Sequence, residues 1–188
     1  MKNKFNGLSS ILTILMCTYL LSCSLSKGDI SGNIYLTMKS GDIKKAAGIK
    51  VMLLEDKDGL LSEQVKEVQL KHLNSLNELS AALSSYAASS DYEYYQETMK
   101  KAESLQTEIN NDLNKVFLAR MIKNTQADID GFYNFTDMPY GKYYILASYQ
   151  VFDNNVDWLL PVEINNKNIK IDLTNNNSAE IFIHFKKS

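Results

Sequence analysis

Thr125-Gln126-Ala127-Asp128-Ile129-Asp130-Gly131-Phe132-Tyr133-Asn134-Phe135-Thr136-Asp137-Met138-Pro139-Tyr140-Gly141-Lys142-Tyr143 is the stretch on which the fold turns. Asp130-Gly131 signals a turn, because Asp bonds its own backbone and Gly accepts positive φ without steric cost. Tyr133 and Phe135 follow on one face, the period-2 pattern of a half-buried strand. Met138-Pro139-Tyr140-Gly141 makes a tight bend, with Pro presetting φ and Gly supplying freedom. Tyr143 then opens the next strand. Asp128 and Asp130 also have the i, i+2 spacing of a calcium loop. Such a loop needs a bidentate Glu at its twelfth position, and counting from Asp128 that position is Pro139. The residues therefore read as a turn.

Working outward, short β-type runs continue to the C-terminus. They are Tyr143-Tyr144-Ile145-Leu146-Ala147-Ser148-Tyr149, Trp158-Leu159-Leu160-Pro161-Val162, Lys170-Ile171-Asp172-Leu173 and Ala179-Glu180-Ile181-Phe182-Ile183-His184-Phe185. Asn-rich links at Asn165, Asn166 and Asn168, and at Asn175, Asn176 and Asn177, separate them. Towards the N-terminus, residues 30–38 and 48–54 read as two more strands, joined through the turn Lys39-Ser40-Gly41-Asp42. About seven short strands punctuated by turns predict a β-sandwich.

Residues 60–123 interrupt this pattern. They contain no Pro, and apolar residues recur at threes and fours: Leu61, Val65, Val68, Leu73, Leu76, Leu79, Leu83, Tyr86. After Ser89-Ser90-Asp91 the period restarts at Tyr92, Tyr95, Met99, Ala102, Leu105, Ile109, Leu113, Val116. This is helical spacing on both sides of a break. Two helices of similar length with a short link predict an antiparallel hairpin. At 1.5 Å per residue each arm is roughly 40 Å long, more than a small sandwich needs for cover. The strands on either side would share one core, so the hairpin is an insertion in a single domain covering residues 29–188. The fold class is α+β: mainly β, with a helical insertion.

The stretch at residues 125–143 resembles the T-x-A-D-G-x-Y-x-F-x-x-L-P-x-G-x-Y run of carboxypeptidase regulatory-like and Cna-B-type domains. Ile30-Ser31-Gly32-Asn33-Ile34 and Ala47-Gly48-Ile49-Lys50-Val51 fit the opening of such a domain. The resemblance covers residues 28–58 and 124–188, and the departures are the extra residue Ile129 and the helical insert. It implies a prealbumin-like antiparallel β-sandwich, and a module that accompanies enzymes without sharing their activity.

The N-terminus carries an address. Lys2 and Lys4 precede an apolar stretch from Leu8 to Leu21, which ends at Leu20-Leu21-Ser22-Cys23. A short apolar run behind a positive leader is the layout of a secretory signal. The junction resembles a bacterial lipobox, with Leu at −3, a small residue at −1 and the obligatory Cys. The expectation is that residues 1–22 are removed, that Cys23 is lipidated, and that residues 23–28 form the tether. A diacylglyceryl group meets the need for more than one chain in stable anchoring. The mature chain would hold Cys23 as its one thiol, so no internal disulfide is available. Ser24 is not the Asp linked to inner-membrane retention in enteric bacteria, so the expected anchor is in the bacterial cell membrane, and in the outer membrane if the cell is Gram-negative.

Removing 22 residues leaves 166 and a net charge of −4. A mildly acidic chain without a basic cluster argues against a nucleic-acid partner. His72 and His184 are its two histidines, and no H-x-x-E pair, nucleophile elbow or Gly-rich phosphate loop is present. No catalytic residue, metal site or cofactor is therefore expected. The expected role is a non-enzymatic, membrane-tethered binding or structural module, with an envelope protein or a glycan as partner. Tyr92, Tyr94 and Tyr95 near the hairpin tip are the candidate contact residues, since Tyr combines apolar area with a polar tip. Tyr140 and Trp158 are the candidates for stacking on a sugar, although alternation sends about half of the aromatics here into the core. A cryptic envelope enzyme is the remaining alternative, and no motif points to one.

Overall fold

A computed structural model of the chain describes residues 26–89, 92–151, 154–179 and 181–182. The expected signal sequence, Cys23, Phe152 and the strand end at residues 183–185 lie outside them. Two sheets pack face to face. One holds β6 (Phe132–Pro139), β1 (Lys27–Asn33) and β9 (Asn168–Lys170) in that order. The other holds β5 (Met121–Gln126), β4 (Lys50–Glu55), β7 (Gly141–Val151) and β8 (Asn154–Ile164). A small hairpin of β2 (Tyr35–Thr37) and β3 (Ile43–Lys45) closes over Gly41, which takes φ 90°. The mixed α+β sandwich read from the sequence is what forms.

Alternation builds the layers. In β4, Val51 and Leu53 enter the core between the sheets, whereas Met52 and Leu54 face the helices. In β7, Tyr143, Ile145 and Ala147 point inward and Tyr144 and Leu146 outward. Strands buried on both faces read as unbroken apolar runs, which is why residues 51–54 and 143–147 carry so few polar groups. The sandwich thus has a third layer on one side.

That layer is the insertion. Helices α1 (Leu61–Lys71), α2 (Leu73–Ser89) and α3 (Tyr92–Arg120) lie between β4 and β5, which pair antiparallel from Lys50↔Gln126 to Leu54↔Met121. All three helices therefore occupy the turn of a β-hairpin. The sequence reading had one helix where α1 and α2 stand. The discontinuity falls at His72, with no Gly or Pro to announce it, and the Leu76 N–H still donates to the His72 carbonyl at 3.0 Å. The helical part stops at Arg120 rather than Lys123, because β5 begins at once with Met121.

Other details follow from side chains bonding backbone. Asp128 Oδ1 accepts from the N–H groups of Asp130 (2.9 Å) and Phe132 (2.8 Å), and Gly131 has φ 76°. The aspartate pair thus makes the expected turn. Asn175 holds β2 through both ends of its amide, accepting from the Thr37 N–H and donating to the Thr37 carbonyl. The strands pair antiparallel except β1 and β9, which run parallel, and the bridge from Ile34 to Leu173 just beyond them is parallel too. The chain leaves β8 at the end where β1 starts and crosses to the other sheet there. Its next strand must then run in the direction of β1. Gly32 permits the approach: a Cβ there would lie 1.7 Å from the Ile171 carbonyl oxygen.

Candidate functional site

The hairpin divides into a packed base and a distal part. At the base, Leu61 and Val65 of α1 and Ile109, Leu113 and Phe117 of α3 bury against Leu54 and Leu146 of the sheet. Phe117 also meets Phe182 edge to face at 5.8 Å between ring centroids. Among the described residues, none between Leu76 and Leu105 belongs to this cluster. Farther out, α2 and α3 bury Leu79, Thr98 and Ala102, and the small Ala102 suits a close approach of two helices. Among the described residues, the distal parts of these helices lie outside the cluster that packs on the sheet.

Tyr92, Tyr94 and Tyr95 sit at the start of α3, beside the α2–α3 link. Tyr92 is 68% exposed and Tyr94 40%, while Tyr95 is half-buried. The amide of Gln96, one turn on, donates to the Tyr92 hydroxyl at 2.9 Å. The ring is thereby steadied while most of its area stays in water. Three tyrosines within four residues therefore start the arm farthest from its packed base.

Tyr140 stands 40% exposed at the bend between β6 and β7. Trp158 does not join it. Trp158 is 0% exposed, and its Nε1–H donates to the Thr174 carbonyl at 2.9 Å. It shares an inward face of β8 with Leu160, Val162 and Ile164, so it is a core residue with no ring face to offer a sugar.

The structure also gathers residues that the sequence did not single out. A groove of about 930 Å³ runs between α1, α3 and the start of β5, and charged side chains line it. Most of those charges are paired with one another. Arg120 forks onto Asp58, Nη1 to Oδ1 at 2.7 Å and Nη2 to Oδ2 at 2.8 Å, and its Nε donates to Gln64 Oε1. The guanidinium holds the Asp58 carboxyl down at about 2, with help from the Leu60 N–H. Asp112 accepts from Lys115 at 2.8 Å and from Lys71 at 2.7 Å, and both hold its carboxyl well below the usual carboxylate range. Lys57 pairs with Glu55 at 2.7 Å. A groove whose ions mostly satisfy each other has little left for a charged ligand.

Asp112, which lines the groove, also stands beside His72 and Glu108, and the three bring potential ligand atoms within 4.8 Å of one another. Glu108 and Asp112 share a face of α3 at i, i+4, and the buried imidazole of His72 approaches Asp112 Oδ2 at 3.4 Å. These residues could take a divalent cation only if two ammonium groups withdrew from Asp112. The only sequence signal was the four-residue spacing of the acids. A buried His that sits beside a helical apolar stripe gives no such signal.

Asp56 and Asp157 are buried carboxylates with structural work. Asp56 Oδ1 accepts from the Leu61 N–H at the start of α1. Asp157 accepts from the Ser148 hydroxyl at 2.6 Å and from the Phe182 N–H at 3.2 Å, fastening the C-terminal segment to β8.

No family model matches the sequence, and no curated protein resembles it significantly. Among solved structures, the chain is similar to a Pseudomonas aeruginosa protein provisionally described as carbohydrate binding. The two are 18% identical with a TM-score of 0.39, over 85% of this chain and 95% of that one. It is also similar to BcpA, the major pilin subunit of Bacillus cereus (14% identity, TM-score 0.32, over 81% of this chain and 31% of that one). A third is the pilus backbone RrgB of Streptococcus pneumoniae (13% identity, TM-score 0.26, over 77% of this chain and 40% of that one). The chain thus spans well under half of either pilin.

Proposed function

We propose that this protein is a lipid-anchored, non-enzymatic module of the bacterial cell envelope, a carboxypeptidase regulatory-like or Cna-B-type sandwich that presents a helical arm to another envelope protein. The observation that carries the reading is the exposure of Tyr92 and Tyr94 on a hairpin whose described distal residues lie outside the cluster packed on the sheet. Interfaces are enriched in Tyr, and rigid aromatics bind with little entropic loss. The lipobox at residues 20–23 supplies the anchor. Among the described residues, no helix is long and apolar enough to cross a membrane. The self-paired groove favours a structural over a catalytic use of the helical base.

A photo-reactive amino acid at Tyr92 tests the partner in living cells. The expected result is one discrete cross-linked protein from Tyr92 and none from Ile129, which is more exposed still. Identical products from both positions, or none from Tyr92, would remove the reading. Glycan binding is disfavoured because burial of Trp158 leaves Tyr140 without the second candidate ring. Specific binding on a glycan array that Tyr140→Ala abolished would reverse that preference.

A further inference from the structure

The N-terminal end of the sandwich is brought unusually near to Cys23 by the chain itself. Three peptide units separate Cys23 from Ser26, and a fully extended chain covers at most about 11 Å in three steps. Ser26 is already part of the folded domain, because its carbonyl accepts from the Tyr140 N–H at 2.9 Å. β1 begins at the next residue, Lys27, opposite Pro139.

The surroundings of Ser26 form one rim. Gly141 pairs with Ile164 there, and the Lys167 carbonyl accepts from the Asp29 N–H at 2.7 Å. Tyr140, Lys27, Lys142 and Lys167 are exposed on it. Asp29, Asp137 and Glu163 lie on the same rim, so its charge is balanced. A tyrosine ring flanked by lysine stems is the chemistry found at membrane–water boundaries, where the ring sits at headgroup level and the ammonium groups reach water.

Resting on the reading of Cys23 as the lipidated residue, we propose that this rim lies on the headgroup surface of the membrane that holds the anchor, with Tyr140 in contact. The tether allows little clearance: at most about 11 Å of chain joins Ser26 to the anchored residue, and the headgroup layer alone is roughly 5–8 Å deep on each side of the bilayer. The opposite rim, which carries Ile129 and Phe132, is about 20 Å away along the six steps of β1. The helical insertion is rooted at the membrane end, since Glu55 pairs with Tyr143 and the Asp56 N–H donates to the Lys142 carbonyl.

The test uses the full chain, made in a bacterial host and reconstituted in vesicles of phosphatidylcholine brominated near the glycerol end of its acyl chains. Mass spectrometry of the N-terminal peptide and flotation of the vesicles report the anchor separately. Tyr140→Trp and Ile129→Trp each add one fluorophore to buried Trp158, which sets the baseline. The expected result is that the brominated lipid quenches the emission added at position 140 and leaves that at position 129 unchanged. Protein that floats and carries the lipid, yet shows equal quenching or none at the two positions, would overturn the proposal. An unmodified Cys23 would overturn the anchor and this inference with it.

Discussion

Arg120 and Asp58 close the two ends of the insertion on each other. The last residue of α3 grips the loop before α1 in a two-pronged pair, 62 positions apart in the chain. Arg120 is mostly buried and also reaches Gln64, the Glu55 carbonyl and, at 3.7 Å, Asp56. Arg120→Ala should therefore lower stability by about 1.5–3 kcal/mol, the range for lost hydrogen bonds to charged groups. Arg120→Lys should recover only part of this, since an ammonium cannot fork. Thermal unfolding of the three proteins checks the order.

The same pair sets an acid limb. Asp58 is held at about 2 in the folded protein against an ordinary value of 3.8. Its contribution is complete above about pH 4 and is lost as the pH falls towards 2, because the unfolded chain takes up the proton first. In Arg120→Ala the difference between the two states largely disappears. Urea titrations from pH 6 to pH 2 should show a shallower loss of stability in the variant than in the parent.

At the alkaline end, Tyr133 governs a second limb. It is buried, its hydroxyl donates to the Ile171 carbonyl at 2.7 Å, and burial pushes its ionisation well above the ordinary 10.0. Stability is complete below pH 10 and falls above it, as the unfolded chain loses the proton that the folded chain keeps. Tyr133→Phe should be less stable near neutrality by about 1 kcal/mol for the lost hydrogen bond. Its decline above pH 10 should be less steep. A steeper decline than the parent's would contradict the assignment.

Gly32 should tolerate no side chain. A Cβ 1.7 Å from the Ile171 carbonyl oxygen must push β9 off β1. Gly32→Ala should cost about 3 kcal/mol, the upper end for overpacking, while its neighbour Ser31→Ala should change little. Denaturation midpoints of the two variants decide it.

Shortening the arm is a cleaner operation. Joining Leu76 to Leu105 through a short Gly-rich link removes only residues that lie outside the packed base. The shortened protein should unfold cooperatively within a few degrees of the parent, and should lose the cross-link at the tyrosines with the tyrosines themselves. Loss of the near-ultraviolet circular dichroism from Trp158 would show instead that the sandwich depends on the distal helices.

Several of these features were readable from the chain alone, and the reasons are local. Asp128, Asp130 and Gly131 specify their turn within five residues. The unbroken apolar runs at 51–54 and 143–147 announced strands, though not that both faces were covered. β5 was invisible because its residues are largely exposed, and an edge strand wetted on both faces has no alternation to detect. Trp158 was offered as a surface ring because alternation sorts residues into two faces without saying which is buried; the register with β7 decides that. The fork between Arg120 and Asp58, and the cluster around Asp112, depend on helices returning to their starting point, which no short window contains.

Placing three helices in the turn between β4 and β5 has a consequence for how such proteins diversify. Both ends of the insertion leave from neighbouring strands, so the helices can be lengthened or trimmed together without moving either sheet. One matched helical turn added to each arm would carry the tyrosines about 5.4 Å farther from the sandwich. Reach then becomes a quantity adjustable in fixed steps by insertion and deletion, while the framework that sets folding stays unchanged.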